Sequence, residues 1–159
     1  METLAPIASY TSPLRRAMST ARLAGLSEAE PLPALREWDL GDAEGITASE
    51  YRASHPGWSL FEDGAPSGES PSSVAARLDD AISMLGRGQN GTVVFVTHGQ
   101  LTKFLVTRLL GLPGSAAGRF ALGPARAALF TQRQPGLWSL TGWNVAAPTD
   151  PADAFTSLT

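Results

Sequence analysis

Cysteine is absent from the 159 residues, and histidine occurs only twice, at His55 and His98. The first absence excludes disulfides, thiol nucleophiles and every cysteine-ligated zinc or iron–sulfur site. The second excludes a three-histidine metal centre and confines imidazole chemistry to two positions. Lysine is nearly missing as well, with Lys103 standing against eleven arginines. There is no basic excess: the formal net charge is −3, so the chain has no field to attract a polyanion, and no nucleic acid is expected as a partner. Long apolar runs are lacking too. The most apolar stretches are residues 93–96 and 104–112, and Arg108 interrupts the second, so nothing is long enough to span a membrane. The N-terminus, Met-Glu-Thr-Leu-Ala-Pro, has neither the basic start nor the apolar run of a signal peptide. A soluble, cytoplasmic protein with no membrane partner is the expectation.

What is present is an ordinary globular composition, 43% hydrophobic and 17% charged. The length suits one domain at about 150 residues each, enough to bury roughly two thirds of the unfolded surface. The expected division is a single domain over 1–147 and a flexible, Pro- and Asp-bearing tail over 148–159. Sixteen glycines and twelve prolines point to many loops.

Strands and helices alternate along the chain. Residues 5–10 read as a short strand. Ser12-Pro13 reads as a helix start, Ser as N-cap and Pro at the first helical position, for a helix ending at Gly25. Residues 30–45 look extended and loop-like, residues 46–54 form a short helix ended by His55-Pro56-Gly57, and 63–70 is a loop. Ser70-Pro71 repeats the cap signal before Val74, Leu78, Ala81, Ile82 and Leu85, which recur at helical spacing. Asn90-Gly91 turns into a buried strand over 92–97, followed by a helix over 99–110 that Gly111 and Pro113 terminate. Two late strands, 127–132 and 137–144, meet around Pro135-Gly136. The pattern predicts an α/β fold with a mostly parallel central sheet flanked by helices.

In such sheets ligands bind beyond the carboxyl ends of strands, where helix N-termini present free N–H groups. Two segments put polar chemistry there. In Tyr10-Thr11-Ser12-Pro13-Leu14-Arg15-Arg16-Ala17, two arginines fall in a first helical turn, where they oppose the helix dipole and an anion would reconcile them. A solvated surface pair is the plain alternative. In Val93-Val94-Phe95-Val96-Thr97-His98-Gly99-Gln100, an imidazole ends a buried strand and Gly99 lets backbone approach a ligand. A hydrogen-bonded core histidine is the alternative there. His55, in a Ser-His-Pro-Gly turn, reads as a surface residue. Glu37, Asp39 and Glu44 are carboxylates available for acid–base work or for plain solvation. Trp38, Trp58 and Phe61 are candidates either for the substrate side or for packing.

Five segments then fall in one order: Thr11-Ser12-Pro13-Leu14-x-Arg16-Ala17-x-x-Thr20-Ala21; Leu35-x-Glu37-x-x-x-Gly41-x-x-Glu44-Gly45; Gly68-Glu69-Ser70 opening a helix with Arg77; Thr97-His98-Gly99; and Trp138-Ser139-Leu140-x-x-Trp143-Asn144. Over nearly the whole chain this resembles the histidine phosphatase superfamily, the phosphoglycerate-mutase-like proteins. The resemblance implies a two-step phosphoryl transfer in which a histidine of an N-terminal Arg-His-Gly motif is phosphorylated and water then hydrolyses it. By position, Arg16 would clamp the phosphate, His98 would be the second pocket histidine, and Glu37 would donate a proton to the leaving oxygen and later activate water. Gly99 and Gln100 would bind substrate, Gly99 through its N–H. The implied partner is a small phosphorylated metabolite, no metal or cofactor is called for, and dimers are common in the resembling family.

One element of that pattern is missing: no Arg-His-Gly occurs in the 159 residues, and His55 lies too late in the order to replace it. The unit that carries it, a strand and helix of about 30 residues, is central in the resembling family's sheet. The chain is therefore expected to be truncated at its N-terminus, inactive as it stands, and poorly soluble through unpaired strand edges and bare helix faces. The short segment between Glu44 and Gly68 favours a phosphatase over a mutase. A pseudoenzyme that binds a phosphate group or a protein partner, or a truncated gene product, is the alternative.

Overall fold

Val93-Val94-Phe95-Val96 is too short and too rich in β-branched residues to be a helix, and it forms a strand at the middle of the chain. The computed structural model describes residues 6–85 and 91–146. In order these form β1 (Ala8–Thr11), α1 (Arg15–Leu23), β2 (Glu30–Pro31), α2 (Ala48–Ser54), α3 (Leu60–Asp63), α4 (Pro71–Ser83), β3 (Val93–Val96), α5 (Gly99–Leu110), β4 (Arg126–Gln134) and β5 (Leu137–Ala146). Single 3-10 turns lie at Pro33–Leu35, Gly41–Ala43 and Gly114–Arg119. Residues 1–5, the turn residue Asn90 and the tail expected over 148–159 lie outside the described residues.

The fold is α/β. β2, β1 and β3 make a parallel sheet in that order. The register sets Ala8 opposite Val93 and Thr11 opposite Val96, so β1 and β3 end at the same level. The residues that follow, Ser12 on one side and Thr97-His98 on the other, therefore emerge next to each other. The ladder runs one residue further, with the Ser12 N–H donating to the Val96 carbonyl at 2.8 Å. β1 and β3 are direct neighbours over four residue pairs, and β3 stands at the edge of this sheet among the described residues. β4 and β5 pair antiparallel as a sheet of their own rather than joining the parallel one.

α4 buries Val74, Leu78 and Ala81, spaced by four and three residues so that they fall on one helix face. α5 faces it with Leu101, Phe104, Leu105 and Leu109. Trp38 lies between them, 1% exposed, its ring edge-on to Phe104 at 5.0 Å and to Phe61 at 5.8 Å. Trp38 and Phe61 are thus core residues. Trp58 is half-buried under the Arg52 guanidinium and donates its indole N–H to the Gly64 carbonyl.

Several boundaries differ from the sequence reading. β1 starts at Ala8, α3 is an unexpected short helix, and β4 and β5 run longer than expected. Three further differences have a visible cause. α1 starts at Arg15, and Leu14 rather than Ser12 is its N-cap, for a reason that lies in the site below. α2 starts at Ala48 because Thr47 and Glu50 close a reciprocal capping box. Residues 30–45 are not simply extended, since they hold β2 and two 3-10 turns.

Candidate active site

Ser12 leaves β1 fully buried, and its side chain turns toward β3 instead of capping α1. Its Oγ accepts the Leu14 N–H at 3.2 Å and lies 2.8 Å from His98 Nε2. The other ring nitrogen of His98, Nδ1, accepts the Nε–H of Arg16 at 3.1 Å. Because Nδ1 accepts, this network places the proton of the neutral imidazole on Nε2, from which it donates to Ser12. One residue just past β1, one from the first turn of α1 and one just past β3 are so joined in a single chain of hydrogen bonds. His98 is only 8% exposed. Burial first, then the charges of Arg16 and Arg77, push its pKa down from 6.5 to about 4, so the ring is neutral at pH 7.

α1 begins with Arg15 and Arg16, with no side-chain cap and no acidic residue in its first turn. The positive end of the helix dipole is reinforced rather than neutralised. At the start of α5 the opposite holds. His98 is the N-cap, and the carboxylate of Glu37 accepts the Leu101 N–H at 3.0 Å and, more weakly, the Gln100 N–H at 3.4 Å. Glu37 also accepts its neighbour Trp38's backbone N–H at 3.0 Å. Glu37 and His98 therefore share one helix terminus. Gly99 is the first residue of α5, and a Cβ built there would meet nothing within 4 Å. No steric demand of the protein calls for glycine at this position, and the space beside it is open.

Arg16, His98 and Glu37 are thus brought to the same end of the parallel sheet, with Gly99 beside them. Gln100 contributes a backbone N–H, already held by Glu37. Asp39 and Glu44 are not part of this cluster: Asp39 accepts the Gly41 N–H at 3.0 Å and Glu44 the Leu40 N–H at 3.3 Å, so both shape the loop. His55 stays apart, stacked on Tyr51 at 4.2 Å, with Nδ1 held by the Tyr51 carbonyl and the Ser54 hydroxyl. Ser12 is the residue that sequence reasoning placed wrongly. Its position at a strand end, beside a histidine at the end of a neighbouring strand, is the signal that points to it. No group of three or more His, Asp or Glu able to hold a metal occurs among the described residues.

A cluster with the Arg16 guanidinium, a neutral imidazole and a bare helix N-terminus can take an anion between Arg16 and His98. The family model for the histidine phosphatase superfamily (branch 1) matches residues 2–146. An acid phosphatase from Mycobacterium tuberculosis is 40% identical over 115 residues, covering 72% of this chain and 57% of that protein. A glucosyl-3-phosphoglycerate phosphatase from Mycolicibacterium vanbaalenii is 33% identical, covering 89% of this chain and 75% of that protein. Among solved structures, one from Mycobacterium tuberculosis superposes with a TM-score of 0.81 at 34% identity, over 87% of this chain and 72% of that one. A mycobacterial glucosyl-3-phosphoglycerate phosphatase in complex with inorganic phosphate superposes with a TM-score of 0.74 at 31% identity, over 89% and 78%. The chain belongs to the histidine phosphatase superfamily. It spans a little over half the length of the acid phosphatase it matches, 57%.

Proposed function

We propose that this site binds the phosphoryl group of a small phosphomonoester and belongs to a phosphatase working through a phosphohistidine. The Arg16–His98–Ser12 network at adjoining strand ends carries the reading, because it presents a forked cation and two polar groups to one point. Arg16 would leave His98 Nδ1 and take two phosphate oxygens. His98 would donate to a third oxygen, recovering the charge that burial denies it when the pocket is empty. A nucleophilic histidine nitrogen bonds to phosphorus as the ester P–O bond breaks, and Glu37 gives its proton to the departing oxygen. Water then attacks the phosphohistidine, and the Glu37 carboxylate takes its proton while the P–N bond breaks. Neither histidine of the 159 residues fits the nucleophile's part: His98 is committed to Arg16 and Ser12, and His55 stays outside the site. Residues 1–159 should then bind phosphate without turnover, and the alternative of a phosphate-binding pseudoenzyme draws on that same absence.

Thermal unfolding with inorganic phosphate or vanadate tests the binding half. Wild type should be stabilised, and Arg16→Ala should lose one charge-assisted fork of about 1.5–3 kcal/mol, weakening binding roughly ten- to hundredfold. An unaltered phosphate response in Arg16→Ala defeats the assignment. An aryl phosphate should not be hydrolysed by residues 1–159, and turnover that disappears in His98→Ala would make His98 the nucleophile.

A further inference from the structure

Arg77 lies on α4, outside the phosphate network, yet all its donors are engaged around the loop that carries Glu37. Its Nη1 donates to the Ala34 and Arg36 carbonyls at 2.6 and 2.8 Å. Its Nε and Nη2 form a two-pronged pair with the Glu69 carboxylate, both at 2.8 Å, and Nη2 reaches weakly to the Glu37 carbonyl at 3.5 Å. Glu69 holds the other side of the same loop. Its carboxylate accepts the Asp39 N–H at 3.0 Å, and its backbone carbonyl accepts the Trp38 indole N–H at 2.9 Å. From β3's end, Thr97 Oγ1 donates to the Leu35 carbonyl at 2.8 Å. The backbone is thus pinned at Ala34, Leu35, Arg36 and Asp39, the Trp38 side chain is anchored beside them, and the side chain between these pins is Glu37.

We propose that Arg77 and Glu69 are positioning residues for Glu37, fixing the loop so that its carboxylate meets the start of α5 beside His98. The inference rests on the reading of Glu37 as the proton donor. A fork with five N–H donors suits the task, because a lysine could not hold two carbonyls and both carboxylate oxygens in one plane. Burial pushes the Glu69 carboxyl up, but the hydrogen bonds from Arg77 and Asp39 and the charges of Arg77 and Arg36 outweigh it and hold it below the usual range. The pair is therefore formed throughout neutral pH.

The test needs neither phosphate nor turnover, so its outcome is independent of whether the site is a phosphatase. Backbone amide NMR of Gln100 and Leu101 is followed from pH 7 to pH 3, and the part of their titration that Glu37→Gln removes is the Glu37 signature. Subtraction is required, within each variant's own background, because His98, Glu69, Arg16, Arg36, Arg77 and Asp39 are the other charged or titrating groups of the surroundings. In Arg77→Gln the signature should fall by more than half, and in Glu69→Gln it should shrink less. Val74→Ala, a core truncation on the same helix, should lower Tm and leave the signature at full size. If Arg77→Gln does not fold, Glu69→Gln carries the comparison. A full-size signature in the folded Arg77 or Glu69 variant overturns the proposal, as does a titration that persists unchanged in Glu37→Gln.

Discussion

α1 and α5 both start where a parallel strand ends, and their first turns are completed in opposite ways. α5 receives a carboxylate from a distant loop: Glu37 accepts the Gln100 and Leu101 N–H groups. α1 receives no side-chain cap and carries Arg15 and Arg16 where an acid would stabilise it. Each choice shifts stability by about 0.3–1 kcal/mol, favourably for α5 and unfavourably for α1. One helix start is finished by a side chain of the protein, and the other carries two cations and no side-chain cap. His98 links them, as N-cap of α5 and hydrogen-bond partner of both Ser12 and Arg16 on the α1 side.

The largest expected effect therefore falls on His98. Its folded pKa lies below its ordinary value, 6.5 lowered to about 4, so the unfolded chain binds a proton in this window that the folded one refuses. The stabilisation is present in full above pH 6.5 and is lost as the pH falls toward 4. Wild type should lose on the order of 2 kcal/mol more than His98→Gln over that range. Denaturant unfolding of both proteins at several pH values measures the difference. A gap between them that does not change with pH would show that the imidazole is not held neutral between the two helix starts. Saturating phosphate should reduce the acid loss, because the anion reverses the electrostatics that Arg16 and Arg77 impose.

A smaller effect should come from making the two starts alike. Glu37→Gln strips α5 of its charge and should lower Tm by about 1–4 °C. It should also tighten phosphate binding at neutral pH, since a negative charge beside the pocket is gone. Phosphate binding weaker than wild type would mean that Glu37 holds the pocket's shape more than it opposes its charge.

The sequence showed where the helices stop and start whenever the signal was local. α5 ends at Leu110 with Gly111 in a left-handed conformation, as the glycine implied, and α4 begins at Pro71 behind its serine cap. It misled at Ser12, where Ser-Pro is a fair local cap signal but the hydroxyl is drawn to His98, 86 positions away in sequence. The loop around Glu37 was illegible for the same reason. Its path depends on Arg77, 43 residues beyond Ala34 and 40 beyond Glu37, and no window along the chain contains both ends of those bonds. Arg16, His98 and Glu37 were legible through their spacing within a family pattern, whereas the clamp that places Glu37 emerged from the three-dimensional arrangement.

The smallest expected effect separates the two roles at a single atom. Gly99 opens α5, and open space lies where its side chain would be. Alanine there meets no protein atom and has the better helix propensity, so Tm should stay the same or rise by about 1–2 °C. If that space is where the phosphoryl group approaches the Gly99 N–H, the added methyl should weaken phosphate binding several-fold while stability is kept. Calorimetric titration of Gly99→Ala with phosphate decides it. Unchanged affinity would place the anion wholly on the α1 side, with Arg16 and the uncapped N–H groups, and leave the start of α5 to Glu37 alone.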